Sequence, residues 1–289
     1  MTMANPTLAR DSENRPHKKR PALFLAVAFF LVSSVSVVSA GGTQPPYLTA
    51  KSAIVVNPKN GGILYSKNPH LKLPPASITK LMTVLLAIEK LSLTQEITVG
   101  SNAVKAAPSK AGLTLGAQYR VMDLVAACLV SSSNDAAIAL AEAVAGSEKN
   151  FAVLMNERAA GLGMTETRFV NATGLTDKRK KQYSTAYDLT LLMRAAVFDP
   201  RIDKTLGITT TSIRGSDGKT LFLKNHNKML WRMPKAVKGK TGWTYASRHT
   251  FVGTDYDADK KIIFAMLSSK KPWLDIERLA TFGLLCLKK

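Results

Sequence analysis

The sequence predicts an α+β fold, an antiparallel sheet packed by helices with an inserted helical lobe. Three observations carry this expectation. Runs rich in β-branched residues stand near both ends of the chain. Helical patterns fill the middle. No repeat, low-complexity tract or linker divides one from the other. Strands segregated from helices argue for α+β rather than an alternating architecture.

"SAIVVN" and "GILYS" flank "PKNGG", a hairpin signature. "LPPASITKLMTVLLAIEKL" follows. Pro74 and Pro75 break the chain, and Leu81 to Ile88 is apolar on nearly every face. Such a helix belongs in the centre of a domain. "RVMDLVAACLV" and "DAAIALAEAVAG" read as two helices around "SSSN", which offers an N-cap, with Gly146 as the stop. "EKNFAVLMNERAAGLG" repeats the pattern with Gly161 as its stop, and "STAYDLTLLMRAAVFDP" is closed by Pro200. "HTFVGTDY" and "KIIFAMLSS" bracket "DADK" as a second hairpin, and a last helix starts at "PWLDIERL". The first and last helices are expected to pack on the sheet.

The chain has 289 residues, 46% hydrophobic and 21% charged, enough for a sizeable core. Residues 1–40 read as an export signal: "HKKR", then an apolar stretch over 21–38, then small residues before a cut after Ala40. An uncleaved anchor is the alternative. The remainder, 41–289, is expected as one domain. The net charge is +20, and +17 without the first forty residues, which hold five basic and two acidic side chains. Such a surface favours an anionic partner, a wall polymer or a membrane surface. Export argues against nucleic acid, and "KRKK" (178–181) reads as a solvated loop. Cys128 and Cys286 have apolar neighbours and read as packed thiols. The four histidines are scattered, so no metal or other cofactor is expected.

Three short motifs stand in order. Ser77-Ile78-Thr79-Lys80 starts the apolar helix, Ser132-Ser133-Asn134 sits in a turn, and Lys240-Thr241-Gly242 precedes the last hairpin. Serine and lysine at i and i+3 share a helix face. A helix start offers free N–H groups to a developing oxyanion. Lysine serves as a base only when neutral, and burial plus a second cation such as Lys240 would lower its pKa. Two other Ser-x-x-Lys copies lack this setting. Ser216–Lys219 lies in a turn and Ser268–Lys271 runs from a strand into Pro272.

With these motifs the sequence resembles the penicillin-binding D-alanyl-D-alanine carboxypeptidase family, from about residue 47 to 288. "AIVVNPKNGGILYSKN", "SSSNDAAIALAEAVAG", "GMTETRFVNATGL", "YSTAYDLTLLMRAA" and "VKGKTGWT" are similar to family blocks. The resemblance implies a β-lactamase/DD-peptidase-like fold and a periplasmic or other extracytoplasmic serine carboxypeptidase. It would trim peptidoglycan stem peptides through an acyl-enzyme and be inhibited by β-lactams such as penicillins. It implies Ser77 as nucleophile, Lys80 as base and Ser132 as proton relay. Asn134, Lys240, Thr241 and Gly242 would bind substrate, and the N–H groups of Ser77 and Trp243 would form the oxyanion hole.

The chain departs from the family pattern in places. Ala246-Ser247 stands where Ala-Gly is usual, and "FVNATGL" replaces a commoner Pro-His variant. The final helix, with Trp273, Leu274, Leu279 and Phe282, is expected in the core rather than as a membrane anchor. Three other functions compete. A DD-endopeptidase of the same fold shares the motifs. A serine β-lactamase needs a carboxylate to activate the deacylating water, and no such loop is evident between Ser132 and Lys240. A non-catalytic wall-binding protein has no need of Ser77 and Lys80.

Overall fold

The elements that position the site begin with a hairpin of β1 (Ser52–Val56) and β2 (Ile63–Lys67). A 3-10 turn at Ala76–Thr79 leads into α1 (Lys80–Lys90). Then come β3 (Glu96–Thr98), the single turn α2 (Ser101–Val104) and β4 (Gln118–Arg120). The helical stretch holds α3 (Val121–Val130), α4 (Asn134–Ala145), α5 (Glu148–Gly161), α6 (Ala186–Ala196) and α7 (Pro200–Leu206). A hairpin of β5 (Thr210–Arg214) and β6 (Thr220–Lys224) precedes the short α8 (Met229–Arg232). Strands β7 (Lys238–Thr244), β8 (Arg248–Asp257) and β9 (Lys260–Ser269) and helix α9 (Pro272–Cys286) complete the order. The computed structural model describes residues 44–176, 181–232 and 237–288. The export segment and Lys178 to Lys180 of the basic run lie outside them.

The main sheet has the order β2-β1-β9-β8-β7, with every neighbouring pair antiparallel. Successive side chains of a strand point to opposite faces. Ile54, Val56, Ile263 and Ala265 therefore enter a core shared with the helical lobe, while Val55, Phe264 and Met266 enter another beneath α9. Burial on both faces is why β1 and β9 read as nearly unbroken apolar runs.

Several expectations need correction. The helix lying against the sheet opposite α9 is α6, not α1. Helix α1 is buried from Lys80 through Ala87, so it sits inside the lobe among α3, α4, α5 and α6. It meets the sheet through the 3-10 turn, which packs on β7. Ser133 occupies the N-cap position of α4, but its hydroxyl bonds Ser131 Oγ at 2.7 Å and caps nothing. Gly161 is the last residue of α5, and the left-handed turn falls at Gly163 (φ 78°). Pro200 opens α7 behind Asp199, which accepts the Arg201 N–H. In α9, Leu279 and Phe282 are buried but Leu274 is exposed. Buried Asp275 anchors that helix, accepting the N–H of Thr49 and Ala50 and the hydroxyl of Ser269. Cys128 is a fully buried thiol. No helix among the described residues is long and apolar enough to cross a membrane.

Candidate active site

Ser77 stands on the 3-10 turn, one residue after Ala76, whose φ of 52° is left-handed for a residue with a side chain. Such strain persists only where surrounding structure imposes it. Here the loop after Asn171 does so. At Gly174 (φ 82°) an added Cβ would lie 1.9 Å from the Ala76 carbonyl oxygen, so only glycine fits. Thr250 Oγ1 donates to the Pro75 carbonyl from the other side, at 3.0 Å.

Lys80 is wholly buried. Its Nζ lies 2.6 Å from Asn134 Oδ1, 2.7 Å from the Thr173 carbonyl and 3.1 Å from Ser77 Oγ. An ammonium carries three donors and no acceptor, whereas a neutral amine has two N–H groups and one lone pair. The Thr173 carbonyl can only accept. Asn134 also presents its oxygen, because its Nδ2 donates to the Ala107 carbonyl at 2.8 Å. These two acceptors take both N–H groups of a neutral Lys80, and the lone pair is left facing the Ser77 hydroxyl.

Asn134 is held from its backbone too, donating its N–H to the Ser109 carbonyl at 2.8 Å. Its neighbour Asp135 accepts the N–H groups of Ala111, Gly112 and Leu113 and so fixes the loop that carries Ala107 and Ser109. A second pair adjoins the first. Lys240 Nζ donates to Ser132 Oγ at 2.9 Å and to the Thr241 carbonyl at 3.0 Å. Ser132 has a φ of 57°, a further strained residue at the site.

Above these groups lies a cleft of about 500 Å³, lined by Ser77, Ser132, Asn134, Thr241, Gly242 and Trp243 among others. Lys80 and Lys240 lie beneath its floor. Strand β7 is the edge of the sheet, and Gly242 is its point of close approach. A Cβ there would fall 2.9 Å from the Ser77 nitrogen. Trp243 is about half exposed and packs on Tyr245, ring centroids 5.0 Å apart. Ser247 is buried, its Oγ accepting the Thr244 N–H at 2.9 Å, so its hydroxyl closes the β7–β8 turn.

Burial lowers the Lys80 amine to about 8, against the opposing pull of Asp135 and Glu148. Burial first, and then the charge of Lys80, push Lys240 well below an ordinary lysine. The lowering of Lys80 by Lys240 expected from sequence is not among its causes; desolvation alone lowers Lys80, and the charge effect runs the other way, from Lys80 onto Lys240. His226, on the cleft wall, is pushed down to about 4 by burial and by Lys240 and Lys80. No carboxylate lines the cleft among the described residues.

The structure brings all eight sequence-derived residues to one place. The other two Ser-x-x-Lys copies stand apart. Ser216 and Lys219 flank the β5–β6 turn, and Ser268 and Lys271 flank the end of β9. Sequence reasoning missed the carbonyls of Thr173, Ala107 and Ser109, which carry no side-chain signal. It missed Gly174 too, although a glycine within "NATGL" was visible.

Fold and site together set a serine beside a buried lysine at an open cleft. The chain matches the D-alanyl-D-alanine carboxypeptidase family over residues 39–271. It is 30% identical over 228 residues to the D-alanyl-D-alanine carboxypeptidase DacF of Bacillus subtilis, covering 77% of this chain and 58% of that one. It is 33% identical over 250 residues to a D-alanyl-D-alanine endopeptidase of Pseudomonas aeruginosa, covering 81% and 78%. The crystal structure of a D-alanyl-D-alanine carboxypeptidase from Mycobacterium tuberculosis superposes with a TM-score of 0.79 at 28% identity, covering 84% and 94%. The chain belongs to the D-alanyl-D-alanine carboxypeptidase family, and it spans 58% of the length of the Bacillus subtilis relative.

Proposed function

We propose that this chain removes the terminal D-alanine from peptidoglycan stem peptides through an acyl-enzyme on Ser77. The placing of the Lys80 amine, 2.6 and 2.7 Å from two fixed acceptors and 3.1 Å from Ser77 Oγ, is the observation that carries this reading. Ser77 Oγ bonds to the carbonyl carbon of the penultimate D-alanine as its proton passes to Lys80. The N–H groups of Ser77 and Trp243 hold the oxyanion. The amide C–N bond then breaks, and the leaving nitrogen takes its proton by way of Ser132. Asn134 holds Lys80 and bonds the substrate amide. Lys240 and Thr241 hold the terminal carboxylate, and Gly242 lets the edge strand approach. Water attacks the ester, releasing the shortened peptide and restoring the Ser77 hydroxyl. β-Lactams enter the same path and stall as the ester.

No carboxylate lines the cleft among the described residues, which supports a peptidase over a β-lactamase that needs a carboxylate to activate the deacylating water. The endopeptidase relative favours a second reading, hydrolysis of cross-linked peptides at the same site. Residues 1–40 support export to the cell-wall space, where the basic surface would meet anionic wall polymers or lipid headgroups. Digestion of purified wall peptides tests the main reading. Mass spectrometry should find free D-alanine and peptides shortened by one residue. Intact pentapeptides after prolonged incubation would refute it.

The pH profile follows from the Lys80 amine. Below about 8 it is an ammonium with no lone pair to offer, and above it is neutral. The penicillin acylation rate should therefore rise with pH through about 8 and level off. A flat profile across that range would remove Lys80 from the role of base.

Lys240→Gln should weaken both peptide turnover and penicillin acylation by about 2–5 kcal/mol, the cost of removing one partner from a desolvated charge pair. A substrate whose terminal carboxylate is amidated should lose far less, since it has no charge to forfeit. Comparing acid and amide on both enzymes forms a cycle that isolates the pair. Equal losses would mean that Lys240 acts some other way.

A further inference from the structure

The cleft wraps around the edge strand. Ser77 and Ser132 line it from the lobe side, and Trp273 and Ile276 of α9 line it from the other. Side chains alternate along β7. Lys240 and Gly242 face the lobe, against Ser132 and Ser77. Trp243 and its cross-strand partner His249 therefore face the α9 side, next to the pair of Thr241 and core residue Phe251. There Trp243 packs on Tyr245, and its ring centre lies 6.4 Å from that of His249. The result is a recess of aromatic faces open to solvent. Trp243 and Tyr245 are exposed, and His249 and Trp273 are half-buried.

The recess lies at the acyl end of the cleft. With the terminal carboxylate on Lys240 and Thr241, a bound peptide runs antiparallel to β7 and leaves it beyond Thr244. From Gly242, which abuts Ser77, to Tyr245 is about 10 Å of extended chain. The N-terminal end of a stem peptide is the end joined to glycan, so the sugar arrives here. Pyranose rings carry C–H faces that pack flat on aromatic faces, and an acetamido methyl suits Pro272 and Ile276. Sugar hydroxyls find polar partners in His249 and in Lys228, whose Nζ lies 5.9 Å from the Trp273 ring centre. Burial first, and then Lys228, hold the His249 imidazole below its ordinary value. At neutral pH it is uncharged, with one donor and one acceptor. Trp243, His249 and Trp273 line a concavity continuous with the cleft, whereas a bilayer surface would need them on a protruding face.

We propose that this recess is a subsite for the sugar end of the substrate, an N-acetylated amino-sugar ring seated against Trp243 and Trp273. The chain would then prefer peptides still joined to glycan over free ones. The inference rests on the carboxylate placement given above and adds a ligand class to the same site.

The test uses the full chain carrying Ser77→Ala, which holds substrate without turnover, and calorimetry with two ligands. One is a stem peptide ending in D-alanyl-D-alanine. The other is the same peptide carried on a disaccharide of N-acetylated amino sugars. The sugar-linked form should bind about tenfold more tightly, the scale of two aromatic contacts. Adding Tyr245→Ala and Trp273→Leu should bring the two affinities within about twofold. With Ser77 restored, those two substitutions should leave penicillin acylation and D-alanine release from the free peptide within about twofold, which also reports that the variant is folded. The sugar preference of the unaltered enzyme should lie in KM rather than kcat, as for binding shared by ground and transition states. Equal affinity for the two ligands would overturn the inference while leaving the carboxypeptidase reading in place. A preference that survives both substitutions would overturn it too. So would loss of binding to phosphatidylglycerol vesicles on the same substitutions with the sugar preference unchanged, which would make the patch a membrane face. Failure of the unaltered chain to release D-alanine from either form, with the binding preference intact, would overturn the carboxypeptidase reading and keep this one.

Discussion

Ser77→Ala is expected to abolish penicillin uptake and reduce peptide turnover on the order of 10⁴-fold or more, the scale of a lost active-site nucleophile. The fold should survive. The change removes one oxygen from a turn held by other groups, namely Ala76 in its left-handed conformation, Gly174 against it and Thr250 on the Pro75 carbonyl. Intact-protein mass spectrometry would read the adduct, and a thermal melt would read the fold. The unaltered protein should gain the mass of one β-lactam on the peptide that holds Ser77. A labelled Ser77→Ala protein would place the nucleophile elsewhere.

Lys80→Arg should cost on the order of a hundredfold or more in acylation, the scale of a lost general base. A guanidinium stays protonated at any working pH and has no lone pair to turn toward Ser77. Because Arg is also larger, Lys80→Met serves as its companion. Met keeps much of the volume and the apolar stem inside a fully buried site but offers no base. Both variants should lose the rise in rate near pH 8 that the unaltered enzyme is expected to show. Near-normal acylation in either one would show that the proton goes elsewhere.

The parts of this fold that were legible in the sequence are those where side chains carry the signal. Strands β1 and β9 are buried on both faces, so their apolar runs announced them. Helix α1 is buried on all sides, and its composition said so. The β5–β6 hairpin shows the opposite case. Its turn at Ser216–Lys219 was noted, but its strands bury only Ile213, Leu221 and Leu223 and leave Phe222 exposed. That pattern is partly masked by an outward-facing aromatic. Strands β3 and β4 are three residues each and exist through long-range pairing, which local propensity does not encode. The place of α6 on the sheet was hidden for another reason. Composition shows that a helix is buried but not which neighbour buries it.

The site divides in the same way. Ser77, Lys80, Ser132, Asn134 and Lys240 meet through side chains whose types and spacing are visible in the sequence. The loop that Asp135 ties down, and the carbonyls it presents, are products of chain folding.

A carbonyl on another loop, the one after Asn171, makes part of the chemistry invisible to mutagenesis. Half of what orients the Lys80 amine is the peptide oxygen of Thr173, which every amino acid possesses. The Thr173 hydroxyl has a separate task, accepting the Leu175 N–H and bonding Asn171 Oδ1 to shape the turn. A library of substitutions at 173 would therefore report on turn geometry, and serine would pass as well as threonine. Position 134 would score as intolerant and 173 as permissive, although both hold the same nitrogen. Only backbone chemistry, such as an ester in place of the 173–174 amide, would weaken that acceptor. Evolution is free to rewrite the letter at 173 while the atom that matters stays where it is.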